Sequence, residues 1–433
     1  MDKPRNKGNI KKFITLVLTA ALALMLLAGC SSASGSESTS SSTTDTSSQT
    51  ETSSSSTSAE TTSSDASDEA GGDSLYTERD LTQEPDISSA ETITVSDGQD
   101  VTISTEGTYV ITGTASNATI IVDAPDDAKV QLVLDGVSIT NDDFPCIYVK
   151  ECDKCFVTTT DSENTLKVTG EFTADGDTNT DAAIYSKSDL VLNGVGTLTV
   201  SSTDNGIVSK DGLKATGGTY VITSESDALD ANDYIYICDG SFTIDSGKDG
   251  LHSEYDEDNT VGEINISGGT FNITASDDGI QATTTLVIDG GTFDITAAEG
   301  LEATQITING GDITISASDD GINASQKSTA LSDIFITVNG GTIDVTMGSG
   351  DTDGFDSNGS IYIYGGTVSV TANSTFDYIN EGVLSGGTVY VNGQQYTGSS
   401  LPNQMMGGGG GAMGGQQGGG MGSQPGGGPG GGF

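Results

Sequence analysis

Gly268-Gly269-Thr270-Phe271-Asn272-Ile273-Thr274 decides the fold. A glycine pair allows a tight bend. Behind it apolar and small polar residues alternate, the period of a strand with one buried face. The phrase returns as Gly217-Gly218-Thr219-Tyr220, Gly290-Gly291-Thr292-Phe293, Gly310-Gly311-Asp312-Ile313, Gly340-Gly341-Thr342-Ile343, Gly365-Gly366-Thr367-Val368 and Gly386-Gly387-Thr388-Val389, with a weaker copy at Asp239-Gly240-Ser241-Phe242. Copies mostly lie about 20 to 30 residues apart, a solenoid period. No stretch carries a 3.6-residue period, and proline is nearly absent from the repeats, so backbone donors for a continuous ladder are available.

Each repeat offers about three short strands, and none can bury its apolar side alone. Stacking the repeats buries all of them and pairs each strand with its neighbours. The expected fold is all-β, a single right-handed parallel β-helix over 91–397, with Phe242, Phe271 and Phe293 stacked inside. A β-propeller would need about 40 residues and four strands per blade. The Gly-Gly-x-Gly-x-Asp phrase of calcium-binding nonapeptide rolls is missing.

A second phrase lies between the glycine pairs: Asp227-Ala228-Leu229-Asp230, Asp249-Gly250-Leu251-His252, Asp278-Gly279-Ile280-Gln281, Glu299-Gly300-Leu301-Glu302, Asp320-Gly321-Ile322-Asn323 and Asp353-Gly354-Phe355-Asp356. Asn205-Gly206-Ile207 precedes the series, and Asp377-Tyr378-Ile379-Asn380 reads as the copy that follows it. Equivalent positions of stacked repeats lie about 4.8 Å apart. The phrase therefore predicts one file of carboxylates and a second oxygen-bearing file three places along. Two carboxylates at that spacing repel by roughly 3.5 kcal/mol at an effective dielectric of 20. Splaying into water, protonation or bound cations relieve the strain, and calcium suits the last because it takes six to eight oxygens in flexible geometry. The candidate ligands are Asp227, Asp230, Asp249, Asp277, Asp278, Glu299, Glu302, Asp319, Asp320, Asp353 and Asp356. Turn capping by aspartate is the alternative for the first file, but it does not account for acids at the fourth position.

The ends differ from this middle. Basic residues Lys3 to Lys12 precede an apolar run, Phe13 to Leu27, and Leu27-Ala28-Gly29-Cys30 resembles a bacterial lipobox. The resemblance implies cleavage of 1–29, a lipid on Cys30, and anchoring to the outer face of the cell membrane. Residues 30–90 are expected to be a disordered Ser/Thr-rich linker and 398–433 a disordered Gly/Met-rich tail. From Cys30 onward ten basic residues stand against sixty-one acids, with Arg79 the only arginine. Such a balance argues against nucleic-acid or anionic-membrane partners. Cys146, Cys152, Cys155 and Cys238 read as buried thiols or as one disulfide among the first three.

With these features placed, the chain resembles the bacterial β-helical carbohydrate-binding-domain lipoproteins, whose fold is related to family 9 polysaccharide lyases. The resemblance spans roughly 91–397. It implies calcium along the coil and non-catalytic binding of plant cell-wall polysaccharide, notably pectic, uronate-containing chains, with cellulose the other ligand in view. Calcium held by the ladder would bridge an acidic protein to an acidic polymer. Tyr234, Tyr236, Tyr362 and Tyr364 alternate with isoleucines and are expected to point outward as sugar platforms, although ordinary β-propensity also explains them. The lack of tryptophan argues against a flat crystalline-cellulose platform. Two other functions remain in view. A calcium-dependent lyase would use Lys248 or Lys210 as base, but the coil has no arginine to clamp a substrate carboxylate. A structural or adhesive stalk would need no ligand site.

Overall fold

The computed structural model describes residues 75–349 and 352–403. The leader 1–29, Cys30, and most of the linker and tail lie outside the described residues. The described chain is all-β, without a helix. Its strands join in three running ladders, each advancing one strand per repeat, and almost every pairing is parallel.

The first ladder follows the glycine pairs, through Thr270–Ala275, Thr292–Ala297, Asp312–Ala317, Thr342–Met347 and Thr367–Thr371. Buried and exposed positions alternate strictly in Thr270–Ala275, as its sequence dictates. Phe242, Phe271 and Phe293 lie in register. Their ring centroids are 4.9 and 4.7 Å apart, with planes within 3° and 4°. Tyr220 extends the stack at 5.0 Å. Each such contact contributes about 0.5–1.5 kcal/mol beyond burial. The second glycine of each phrase makes the bend at positive φ, as at Gly269 (103°) and Gly291 (107°), a region costly to any residue with a Cβ.

The second ladder precedes the glycine pairs and includes Lys154–Thr159, Asp189–Gly194, Glu263–Ile266, Phe335–Val338 and Ser360–Ile363. The third carries the Asp-Gly-Ile phrases, through Leu229–Ala231, Leu251–Ser253, Asp320–Ala324 and Asp353–Ser357. Inward residues of all three ladders merge into one apolar cluster. Gly279 shows why the phrase needs glycine: a Cβ there would lie 2.4 Å from the Ile295 side chain and 2.6 Å from the Gly300 carbonyl oxygen.

Three details differ from the sequence reading, and a fourth decides between two alternatives that it left open. Residues 75–83, expected within the linker, pack on the second ladder. Asp80 is fully buried, pairing with Lys154 (3.2 Å) and Lys214 (3.3 Å), and the Arg79 guanidinium lies 4.5 Å from the Phe156 ring centroid. The tail's first residues are also packed, with Leu401 buried and its amide bonded to the Gly382 oxygen. All four described cysteines are free, and Cys146, Cys152 and Cys155 are buried, as the buried-thiol alternative has it. Finally, Asp353 pairs with Ser374 and Asp356 with Asp377, so Ser374-Thr375-Phe376-Asp377 is the last copy of the acidic phrase, three residues earlier than the sequence suggested.

Candidate functional site

The third ladder's outward side chains form the second file. In register it runs Tyr148, Tyr185, Val208, Asp230, His252, Gln281, Glu302, Asn323, Asp356, Asp377. It starts apolar, with Phe144 packed beside Tyr148, and turns polar at Asp230. The first file runs beside it, with Asp278 paired to Glu299 and Asp320 to Asp353.

Much of the first file is tied to backbone. The Asp249 amide donates to Asp227 Oδ1 (3.0 Å), the Asp278 amide to Asp249 Oδ1 (2.8 Å), and the Asp353 amide to Asp320 Oδ1 (3.1 Å). The Asp227 amide donates likewise to Asn205 Oδ1 (3.0 Å). One carboxylate oxygen thus holds the next repeat, which is the capping role in part. In Asp249 and Asp320 the other oxygen makes no ion pair, whereas Asp227 Oδ2 faces Lys248 and His252.

Charge compensation is uneven along the files. Lys210 pairs with Asp230 (3.2 Å) and Lys248 with Asp227 (3.8 Å). His252 Nδ1 lies 3.4 Å from Asp230 and 3.5 Å from Asp227, and Nε2 lies 3.2 Å from Glu254. Burial would lower the His252 pKa, but these three carboxylates raise it to about 12, so the imidazolium acts as a built-in cation. Lys327 pairs with Glu302. Among the described residues Asp249, Asp277, Asp278, Glu299, Asp320 and Asp356 make no ion pair. Burial pushes Asp249 up to about 6, with Asp227 and Asp277 adding repulsion. Burial and Glu302 push Glu299 to about 7; burial and Asp356 push Asp320 to about 7. Burial pushes Asp356 to about 6, and Asp278 rises further because Asp249 and Glu302 repel it as well.

Two groups could hold a hard cation. Asp249, Asp277 and Asp278 bring carboxylate oxygens within 4.8 Å of one another, and Asp278, Glu299 and Glu302 do the same. Both offer only oxygen, as calcium prefers. Asp227, Asp249 and His252 also converge, but the His252 proton occupies that place. Asp230 faces Lys210 and His252 instead. Asp319, Asp320, Asp353 and Asp356 do not converge on a three-ligand group among the described residues.

The tyrosines lie on the second ladder, with Ile235, Ile237, Ile361 and Ile363 fully buried between them. Tyr234 and Tyr236 stack at 4.3 Å and Tyr362 and Tyr364 at 5.8 Å. The Tyr234 hydroxyl donates to Asp189 (3.1 Å), Tyr236 to Glu263, and Tyr362 to Glu381 (3.2 Å). Tyr364 is the most open, 49% exposed. The Lys214 ammonium lies 5.7 Å from the Tyr234 ring centroid and 5.8 Å from that of Tyr76, so the packed 75–83 segment borders this pair.

Residues 97–354, more than half of the chain, match the family of carbohydrate-binding domain-containing proteins. The chain belongs to that family. A carbohydrate-binding domain-containing protein of Acetivibrio thermocellus is 36% identical over 124 residues, which are 28% of this chain and 43% of that protein. The match thus spans less than half of the relative's length. A solved polysaccharide lyase-like protein from C. thermocellum, a gadolinium derivative, aligns with 70% of this chain and 94% of its own at 23% identity and a TM-score of 0.30.

Sequence reasoning missed two partners of this carbohydrate-binding domain's acidic files. Lys327 lies in an insertion between the third and second ladders, away from either phrase. The lone histidine occupies a file position at which neighbouring repeats carry Asp230 and Gln281; its place in the phrase was the available signal.

Proposed function

We propose that this chain is a protein lipid-anchored to the outer face of the cell membrane, whose calcium-loaded β-helix binds acidic polysaccharide without cleaving it. Three parallel ladders that advance together, one repeat at a time, support winding as a single right-handed coil. The observation that carries the function is the run of carboxylates without a basic partner, Asp249, Asp277, Asp278 and Glu299: the first three converge, and Asp278 and Glu299 converge with Glu302, which Lys327 also pairs. A bound divalent ion supplies the positive charge that the chain does not, leaving coordination positions for a uronate carboxylate. Family membership supports the polysaccharide, and the Leu27-Ala28-Gly29-Cys30 lipobox supports the anchor.

A lyase reading would assign as base Lys210, which pairs with Asp230 (3.2 Å), or Lys248. Burial opposes the charge on Lys248, but Asp227, Asp249, Asp277 and Asp230 outweigh burial and raise its pKa. A lysine held protonated has no free pair to take a proton.

The test is retention on immobilised polygalacturonate. The purified chain should be held in calcium and released by chelator, with no growth of ultraviolet absorbance from unsaturated products. Growing absorbance would establish a lyase. Retention that ignores chelator would remove calcium from the account. Cys30→Ala should shift the protein out of the detergent phase.

A further inference from the structure

Beyond the acidic files the molecule carries a cleft. The third ladder turns into the second through Asn358 and Gly359, and an insertion covers that corner. Here a cleft of about 380 Å³ opens, lined by Phe335, Tyr362, Asn358, Asn380, Asp333 and Ser360 among others. This lies at the low end of the range of ligand-sized clefts, about 300–1,000 Å³.

Its walls are held in place. The Gln305 side-chain amide donates to the Asp333 oxygen (2.8 Å) and the Ser360 amide to the Ile334 oxygen (3.1 Å). A Cβ at Gly359 would lie 1.8 Å from that Ile334 oxygen. The insertion is pinned farther along, where Ser328 Oγ donates to the Asn259 oxygen (2.6 Å) and Thr329 Oγ1 to Asn259 Oδ1 (2.9 Å). Tyr362 is fixed by Glu381 and by stacking on Tyr364.

The lining chemistry selects the ligand. Phe335 and Tyr362 supply two half-buried aromatic rings, and aromatic faces suit the C–H faces of a sugar. The Asn358 and Asn380 side-chain amides are exposed and make no hydrogen bond among the described residues. Each can donate and accept, as a ring of hydroxyl groups requires. No lysine, arginine or histidine lines the cleft, and Asp333 places a carboxylate at its edge. An anionic sugar would meet repulsion without a counter-charge. Outside the cleft, exposed Tyr364 and Ile379 (49% and 60%) extend the apolar surface on this part of the molecule.

We propose that this cleft is a second saccharide subsite that takes an uncharged sugar ring directly, with no cation. The proposal rests on the polysaccharide-binding reading above but uses none of its acidic ligands. The two sites divide the labour: the files take charged residues through a cation, and the cleft takes neutral ones.

The test is calorimetric titration of the full chain with cellohexaose, xylohexaose and mannohexaose in chelator. At least one should bind. Phe335→Ala should weaken that binding tenfold or more. Asn358→Ala, which removes no buried packing, should weaken it severalfold. Both variants should keep the melting temperature of the parent chain within a few degrees. Polygalacturonate retention that fails while a neutral hexasaccharide binds would overturn the calcium bridge and support the cleft. Absence of binding by all three hexasaccharides, or neutral binding unaffected by Asn358→Ala and Phe335→Ala, would overturn the cleft.

Discussion

Asp278 belongs to both candidate cation groups, so the electrostatics of the acidic files turn on one side chain. In metal-free protein the folded state holds protons that the unfolded chain releases. Asp249 and Asp356 sit near 6, Glu299 and Asp320 near 7, against about 4 when unfolded. Their contribution is complete below pH ~4 and is lost as pH rises through 6 to 7. Asp227 and Glu254 are held low and lose stability only on acidification below ~4, outside this window. In chelator the melting temperature should therefore fall by several degrees from pH 5 to pH 8. Calcium should remove the fall, since the ion replaces the protons. Asp278→Asn should raise the metal-free melting temperature at pH 8 and blunt the calcium response. A metal-free melting temperature that is flat or rises over this range would contradict the account.

At the scale of the element, the glycine-pair phrase was legible because it states both a bend and a buried face. Phe271 lies between Phe242 and Phe293, fully inside. Phe271→Ala removes two ring stacks and leaves a cavity, at a cost of about 3–5 kcal/mol, measurable by chemical denaturation. The acidic phrase was legible for six repeats and misread at the next. Asp377-Tyr378-Ile379-Asn380 imitates its letters, but Ile379 is 60% exposed, whereas Phe376 is fully buried beside Phe355 at 5.3 Å. The inward residue sets the register, and the acid follows it. The cleft residue Phe335 stayed hidden for another reason: its neighbours arrive from an insertion and from later repeats, so no local spacing announces it.

Over the whole molecule, the least legible feature is the 75–83 segment. Asp80 meets Lys154 and Lys214, 74 and 134 residues away in sequence, and no periodicity links them. Burial works against the Asp80 carboxylate, but the Thr77 amide and the two ammonium groups outweigh it and hold its pKa below the usual carboxylate value. Removing one member of such a buried group costs about 3–5 kcal/mol. Asp80→Ala should therefore free the segment, and trypsin should cut after Arg79 at least tenfold faster than in the parent chain. Equal cutting rates would mean that other contacts hold it.

That same segment decides how the domain carries mechanical load. Among the described residues Glu91–Thr94 has a single partner strand, and a pull applied directly to it would meet those bonds alone. A pull applied at Leu75 meets resistance first elsewhere. Lys214 grips the Leu75 oxygen and the Asp80 carboxylate, Asn193 and Thr216 hold the Asp80 oxygen, and the Gly194 amide holds Gln83. Those anchors belong to neighbouring strands of one sheet and divide the tension among them, so the packed segment works as a strain relief ahead of the first strand.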